Sequence, residues 1–299
     1  MTLFPFARRL LQTAALALLI APVLNAPARA AGTDLTLTHF NPGNDAIFPV
    51  SSVLVAGKRD AILIDAQFGK SQAEKVVAMV RDSGKTLTTI YISHGDPDFY
   101  FGLDTVLAAF PGVRVVATEP TVRHIKEPVD GKLAFWSPKL GADAPAKAVI
   151  PQVLAGHSLT LEGHQLEITG LDGAQPDRSY VWIPSLKAVV GGVVVFGNLH
   201  VWMADTQTPQ SHKDWLATLQ HIEALKPVTV IPGHYAPGAP LTLESVRYTQ
   251  GYIRAFDAQT AKAADSAALV AAMKAQYPQA GGAASLELSA KVAKGEMKW

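Results

Sequence analysis

An α/β architecture, with sheets covered by helices on their outer faces, is what this sequence predicts, and three observations carry the prediction. β-branched and aromatic runs such as Thr89-Ile90-Tyr91-Ile92 alternate with stretches of helical spacing such as residues 71–83, an order that places helices on sheets. The first strand-like runs instead follow one another through short turns, as an antiparallel meander does. The third observation is size: 299 residues with 48% hydrophobic content can bury a full core as one large domain or two small ones.

Residues 1–31 stand apart. Arg8-Arg9 lead into an apolar run over residues 10–24, and Ala28-Arg29-Ala30 supplies the small-x-small pattern of a signal peptidase site, so cleavage is expected after Ala30 or Ala31. The run is short for a bilayer, and Pro22 and Pro27 break it. The segment therefore reads as an export signal, with residues 32–299 periplasmic or secreted and holding no stable membrane anchor. The arginine pair allows a twin-arginine route, although its neighbours match that consensus poorly. Losing Arg8, Arg9 and Arg29 takes the formal charge from +1 to −2, which gives no global attraction for nucleic acid. The chain has no cysteine, so it forms no disulfide, and any metal site must be built from histidine and carboxylate.

The elements follow in order. Residues 35–40 alternate as a strand, Asn41-Pro42-Gly43 turns, residues 47–55 form a second strand, Gly57-Lys58 turns again, and residues 61–65 form a third. Ala73, Val76, Val77 and Val80 give residues 71–83 one apolar helical face, and Gly84 ends it. The strand at 89–92 comes next, then a loop, a short helix over 103–110 and a strand over 113–118. Residues 153–168 read as a hairpin turning at Leu161-Glu162-Gly163-His164, and residues 179–183 as a further strand. A helix over 211–225 has Trp215, Leu219 and Ile222 as its apolar stripe, which puts His212 and His221 on the surface. From about residue 241 to 299 the chain is helical, with helices at 243–256 and 266–276. No internal repeat or Gly-rich phosphate loop is present.

The loop Ser93-His94-Gly95-Asp96-Pro97-Asp98-Phe99-Tyr100-Phe101-Gly102 joins a strand to a helix. In extended chain, alternate residues would project His94, Asp96 and Asp98 toward one point, a nitrogen and oxygen donor set suited to zinc. The competing reading is that Asp-Pro-Asp is turn chemistry and His94 bonds a backbone carbonyl.

With Ala61-Ile62-Leu63-Ile64-Asp65 before it and Val228-Thr229-Val230-Ile231-Pro232-Gly233-His234 far downstream, this loop resembles the metallo-β-lactamase-fold superfamily. The resemblance implies a four-layer αββα sandwich with metal loops at one edge of two packed sheets. The superfamily's loop reads His-x-His-x-Asp-His, with a Gly three residues later. His94 and Asp98 keep their places, Asp96 stands where the second His belongs and Phe99 where the last belongs, and Gly102 is retained. Asp65 matches a buttress of the metal loop, with a structural role. A Gly-His element expected near residues 170–175 lacks its His, leaving Asp172 and Asp177, and Gly192 replaces an Asp that bridges two metals. His234 matches the final ligand.

The resemblance thus implies at most one divalent ion, zinc, held by His94, Asp96, Asp98 and His234. Asp98 or Asp96 would act as general base if it did not coordinate. His200, Trp202, Asp205 and Asp172 are expected around the pocket, His200 standing in for a lost ligand or serving as a hydrogen-bonded structural histidine. His39, His124, His157 and His164 receive no role. Two functions remain open: an exported metal-dependent hydrolase of an ester, thioester, lactone or lactam, and an inactive member that binds a small ligand or a partner protein.

Overall fold

In the computed structural model the described residues are Met1 and 34–299. The export signal expected over residues 1–31 lies outside them, apart from Met1. In chain order the elements are β1 (Thr36–Phe40), β2 (Ser52–Ala56), β3 (Asp60–Ile64), α1 (Lys70–Asp82), β4 (Thr86–Ile92), α2 (Pro97–Tyr100), α3 (Leu103–Ala109) and β5 (Arg114–Ala117). Then come α4 (Glu119–Lys126), α5 (Val129–Leu140), β6 (Gln152–Val153), β7 (Ser158–Leu161), β8 (His164–Thr169), β9 (Tyr180–Ile183), β10 (Ala188–Val190) and β11 (Phe196–Gly197). The chain continues through α6 (Pro209–Ala224), β12 (Thr229–Val230), β13 (His234–Tyr235), α7 (Leu243–Thr260), α8 (Ser266–Gln276) and α9 (Ala283–Ala293).

One sheet runs β1-β2-β3-β4-β5-β6 and the other β12-β10-β9-β8-β7, with β11 and β13 as a separate pair. β1, β2 and β3 form the expected antiparallel meander, and β3 through β6 run parallel. Alternation along the strands builds the layers. Val53, Val55, Ile62 and Ile64 of the first sheet meet Leu166, Ile168, Val181 and Val190 of the second in one buried cluster. Leu54, Leu63, Ile90 and Val189 point the other way, into a cluster that includes Val76 and Val80 of α1 and Trp215 and Leu219 of α6. Because successive strand residues face opposite sides, β2, β3, β9 and β10 are buried on both faces while β7 and β8 alternate buried and exposed, and the layers run helix, sheet, sheet, helix. The predicted αββα sandwich is the observed one.

Two of the sequence expectations need correcting here. His212 is buried, not on the surface, and its Nδ1 lies 2.6 Å from Asp257 Oδ1, pinning α6 to α7. His221 is exposed, as expected. The residues between β5 and β6, for which the sequence pattern predicts no element, form α4 and α5. Thr118 caps α4 by accepting from Thr121 N–H, with Pro120 in the first turn. α5 buries none of its residues and carries Pro138 within it, so no apolar core stripe announces it.

Parallel strands direct their carboxyl ends to one edge of the sheet, where α/β folds open their ligand crevices. β4 lies between two parallel neighbours and delivers Ser93 and His94 to that edge. His234 reaches the same edge through β13: it pairs with Phe196 of β11 and bridges to Val50, while Ser51 Oγ donates to Pro232 O over 2.7 Å.

Candidate functional site

Under the loop sits a buried network. Asp65 Oδ1 accepts from Ser93 N–H over 2.8 Å and Oδ2 from the Ser93 hydroxyl over 2.6 Å, while Ser93 Oγ accepts from Gly192 N–H over 2.7 Å. Asp65 is fully buried with φ of 64°, and burial pushes its carboxyl up to about 8. Its role is the expected buttress. Gly192 is closed to any side chain: a Cβ there would lie 2.2 Å from Ser179 O, at φ of +77°.

The convergence of His94, Asp96 and Asp98 ends where α2 begins. Asp96 is the N-cap and Pro97 the first helical residue, so the chain stops alternating and turns by about 100° per residue. Two separate His–Asp pairs result. His94 Nε2 lies 3.1 Å from Asp96 Oδ2, and His234 Nε2 lies 2.7 Å from Asp98 Oδ2. Phe99, fully buried, presents its ring edge to both imidazoles, with centroids at 5.2 Å and 5.3 Å. Phe196 stacks on the His234 ring at 5.1 Å, and His234 Nδ1 is buried without a hydrogen-bond partner.

The donor set does not fit the four-ligand ion expected from the sequence. His94 Nδ1 faces Asp177 O at 3.1 Å while its Nε2 faces a carboxylate, so both nitrogens meet acceptors. The Asp177 carbonyl can only accept, so Nδ1 donates to it, and on the Nε2 side an ion would have to displace the Asp96 contact. Asp96 is committed as well: Lys132 of α5 places Nζ 2.9 Å from Asp96 Oδ1 and 3.3 Å from Gly95 O. Burial alone would push the Asp96 carboxyl up, but His94, Lys132 and His124 outweigh it and hold the carboxyl well below the usual range. Among the described residues, no three His, Cys, Asp or Glu side chains gather as a metal group.

His124, given no role from the sequence, belongs to this cluster. Its ring meets His94 edge to face at 5.3 Å, and its nitrogens lie 3.7 Å from Asp96 Oδ1 and 3.5 Å from Asp177 Oδ2. The hydrogen bond from His124, set against burial, brings Asp177 down to about 2. Gly95 makes this approach possible, since a Cβ there would lie 2.6 Å from His124 Cγ.

Above the pairs opens a cavity of about 780 Å³. Asp96, Asp98, His234, His200, Trp202 and Asp205 border it as the sequence suggests. Asp172 does not: it is exposed in the turn after β8, and Asp177 is the acid of that segment that reaches the cluster. His200 is buried with Nδ1 3.0 Å from the Tyr252 hydroxyl, and burial takes it down to about 4, so it is a neutral structural histidine. Sequence reasoning missed Lys132 and the aromatic wall of α5. The spacing of Gly131, Lys132, Phe135 and Trp136, all lining the cavity, is one helical face and was the available signal.

No helix among the described residues is long and apolar enough to cross a membrane. No curated protein matches the chain. Solved structures share its fold: a metallo-beta-lactamase family protein from Thermus thermophilus is 16% identical, with TM-score 0.61 over 87% of this chain and 93% of its own. Metallo-beta-lactamase IND-7, also 16% identical, gives a TM-score of 0.52 over 77% of this chain and 97% of its own. VMB-1, again 16% identical, gives 0.53 over 77% and 96%. The family description "Metallo-beta-lactamase superfamily" matches residues 46–234, well over half the chain. With that span, the sandwich and the retained His94, Asp98 and His234, the chain belongs to the metallo-beta-lactamase superfamily.

Proposed function

We propose that this is an exported, small-molecule-binding member of the superfamily whose pocket works without a catalytic metal. The observation that carries the reading is the Lys132–Asp96 ion pair at 2.9 Å: α5 itself supplies the positive charge that the carboxylate needs. The cavity volume falls within the range of roughly 300–1,000 Å³ common for small-molecule sites. Export rests on the leader-like pattern of residues 1–31.

Hydrolysis of an ester, thioester, lactone or lactam on one divalent ion, zinc, is the second reading. It is favoured by Asp98 and His234, two possible donors bordering the cavity. It requires an ion to displace the direct contacts of His94 with Asp96 and of His234 with Asp98, with Phe99 against both rings. A panel of these four substrate classes, assayed with zinc and again after chelation, separates the readings. No metal-dependent turnover is expected. Turnover abolished both by chelation and by His94→Ala would overturn the metal-free reading.

A further inference from the structure

The cavity has a one-sided chemistry that the two His–Asp pairs do not explain. Trp136, Phe48, Trp202 and Trp299 follow one another along its wall, at centroid separations of 5.3, 6.5 and 5.1 Å and interplanar angles of 79°, 85° and 73°. Successive rings set nearly at right angles make a curved surface of π faces and edges rather than a stack. Such a surface attracts a cation through the ring quadrupoles, more strongly where water is excluded.

The charges on the same walls agree. Asp96 is balanced by Lys132 and lies 3.1 Å from His94 Nε2, and Asp98 lies 2.7 Å from His234 Nε2. Asp205, at the rim, forms no ion pair among the described residues. Its Oδ2 accepts from Trp202 Nε1–H over 2.7 Å and its Oδ1 from Trp299 Nε1–H over 2.6 Å, so the carboxylate joins two members of the aromatic wall. Crowding by protein atoms, then the negative charge of Asp96, raises its carboxyl above the usual range. Glu127 also borders the cavity and pairs with no cation among the described residues. Once the internal pairs are set aside, two carboxylates remain on an aromatic surface.

We propose that the pocket takes an organic cation, an ammonium group on an apolar body, with the ammonium against the Trp202–Trp299 corner near Asp205 and the body along Phe48 and Trp136. This assignment rests on the ligand-binding reading and gives it a substrate class. An anion would meet Asp205 and Glu127, and Lys132, the lysine of the lining, is already engaged with Asp96.

The test uses three probes that share a body and differ in charge: 4-phenylbutylamine, 4-phenylbutanol and 4-phenylbutyrate, titrated into the full mature chain with tryptophan fluorescence and calorimetry as readouts. The amine is expected to bind at least tenfold more tightly than the alcohol, and the carboxylate most weakly. The preference should shrink with salt. Asp205→Asn and Glu127→Gln should each reduce the amine-to-alcohol ratio threefold or more. The Glu127 variant changes an exposed residue and so keeps the test valid if Asp205→Asn disturbs the indole contacts. Equal affinities, or tightest binding of the carboxylate, would overturn the cation assignment while leaving a ligand pocket in place. Failure of all three to bind at millimolar concentration would overturn the assignment, and the pocket reading with it.

Discussion

Lys132 Nζ lies 2.9 Å from Asp96 Oδ1, joining a helix that buries none of its residues to the loop at the end of β4. The contact both holds α5 over the cavity and neutralises the carboxylate beside His94. Lys132→Ala should therefore cost about 1–2 kcal/mol, between the roughly 0–1 of an exposed ion pair and the roughly 1.5–3 of a buried charged hydrogen bond, since both side chains are partly buried. It should also raise affinity for zinc at least tenfold, by freeing an Asp96 oxygen. Urea denaturation and calorimetric titration check the two effects, and unchanged zinc affinity would mean that Lys132 does not compete with a cation.

The position matching the superfamily's bridging aspartate cannot be restored by substitution. A side chain at Gly192 collides with Ser179 O, so Gly192→Ala should cost on the order of 3 kcal/mol from combined backbone strain and overpacking. Gly238→Ala is the control: φ is +80° but nothing lies within 4 Å of the added Cβ, so about 1 kcal/mol is expected. Denaturation midpoints of the two variants measure the difference. Equal costs would place the Gly192 constraint in its dihedral alone.

Two carboxyls give the stability profile opposite slopes. Asp65 titrates near 8 in the fold against 3.8 unfolded, so the folded chain holds the extra proton between those values and its contribution is lost as pH rises through about 8. Asp96 is depressed, so its contribution is present above its unfolded value of 3.8 and is lost on acidification below it. Asp65→Asn should flatten the decline between about pH 4 and 8, a decline bounded by about 1.4 kcal/mol per pH unit for one proton. Urea midpoints across that range test this, and a slope unchanged in the variant would show that Asp65 is ionised throughout.

Trp202 and Trp215 should respond differently to truncation. Trp215 is fully buried, donates from Nε1 to Val194 O over 2.8 Å and lies beneath the Arg178 guanidinium at 4.2 Å, so Trp215→Ala should cost about 3–5 kcal/mol. Trp202 is half-buried on the cavity wall, and Trp202→Ala should cost roughly 1–2 kcal/mol while weakening binding of 4-phenylbutylamine. Thermal denaturation beside fluorescence titration separates them. A loss for Trp202→Ala as large as for Trp215→Ala would move Trp202 into the core.

The layers were legible because strand alternation and the α1 stripe of Ala73, Val76, Val77 and Val80 report burial directly. The site was legible only in part. His94, Asp98 and His234 arrive at one edge as the motifs imply, but their pairing depends on where α2 starts, and spacing alone leaves the loop extended or helical. Lys132 and His124 are hard to read for a different reason. They act through long-range contacts: α5 buries none of its residues, and the buried Thr121 and Ile125 of α4 say nothing of where His124 reaches, while Asp172 holds the motif position but is exposed in the turn after β8 and Asp177 reaches the cluster instead. His212 looked solvated because its partner, Asp257, is 45 residues away.

Metal content of the full chain, purified from zinc-replete conditions and measured by elemental analysis before and after mild chelation, tests the account most directly. The paired His94–Asp96 and His234–Asp98, with Phe99 against both rings, predict well under one retained ion per chain. They also predict no change in that value for His94→Ala or His234→Ala. One or more ions per chain that survive chelation and disappear in either histidine variant would contradict the account.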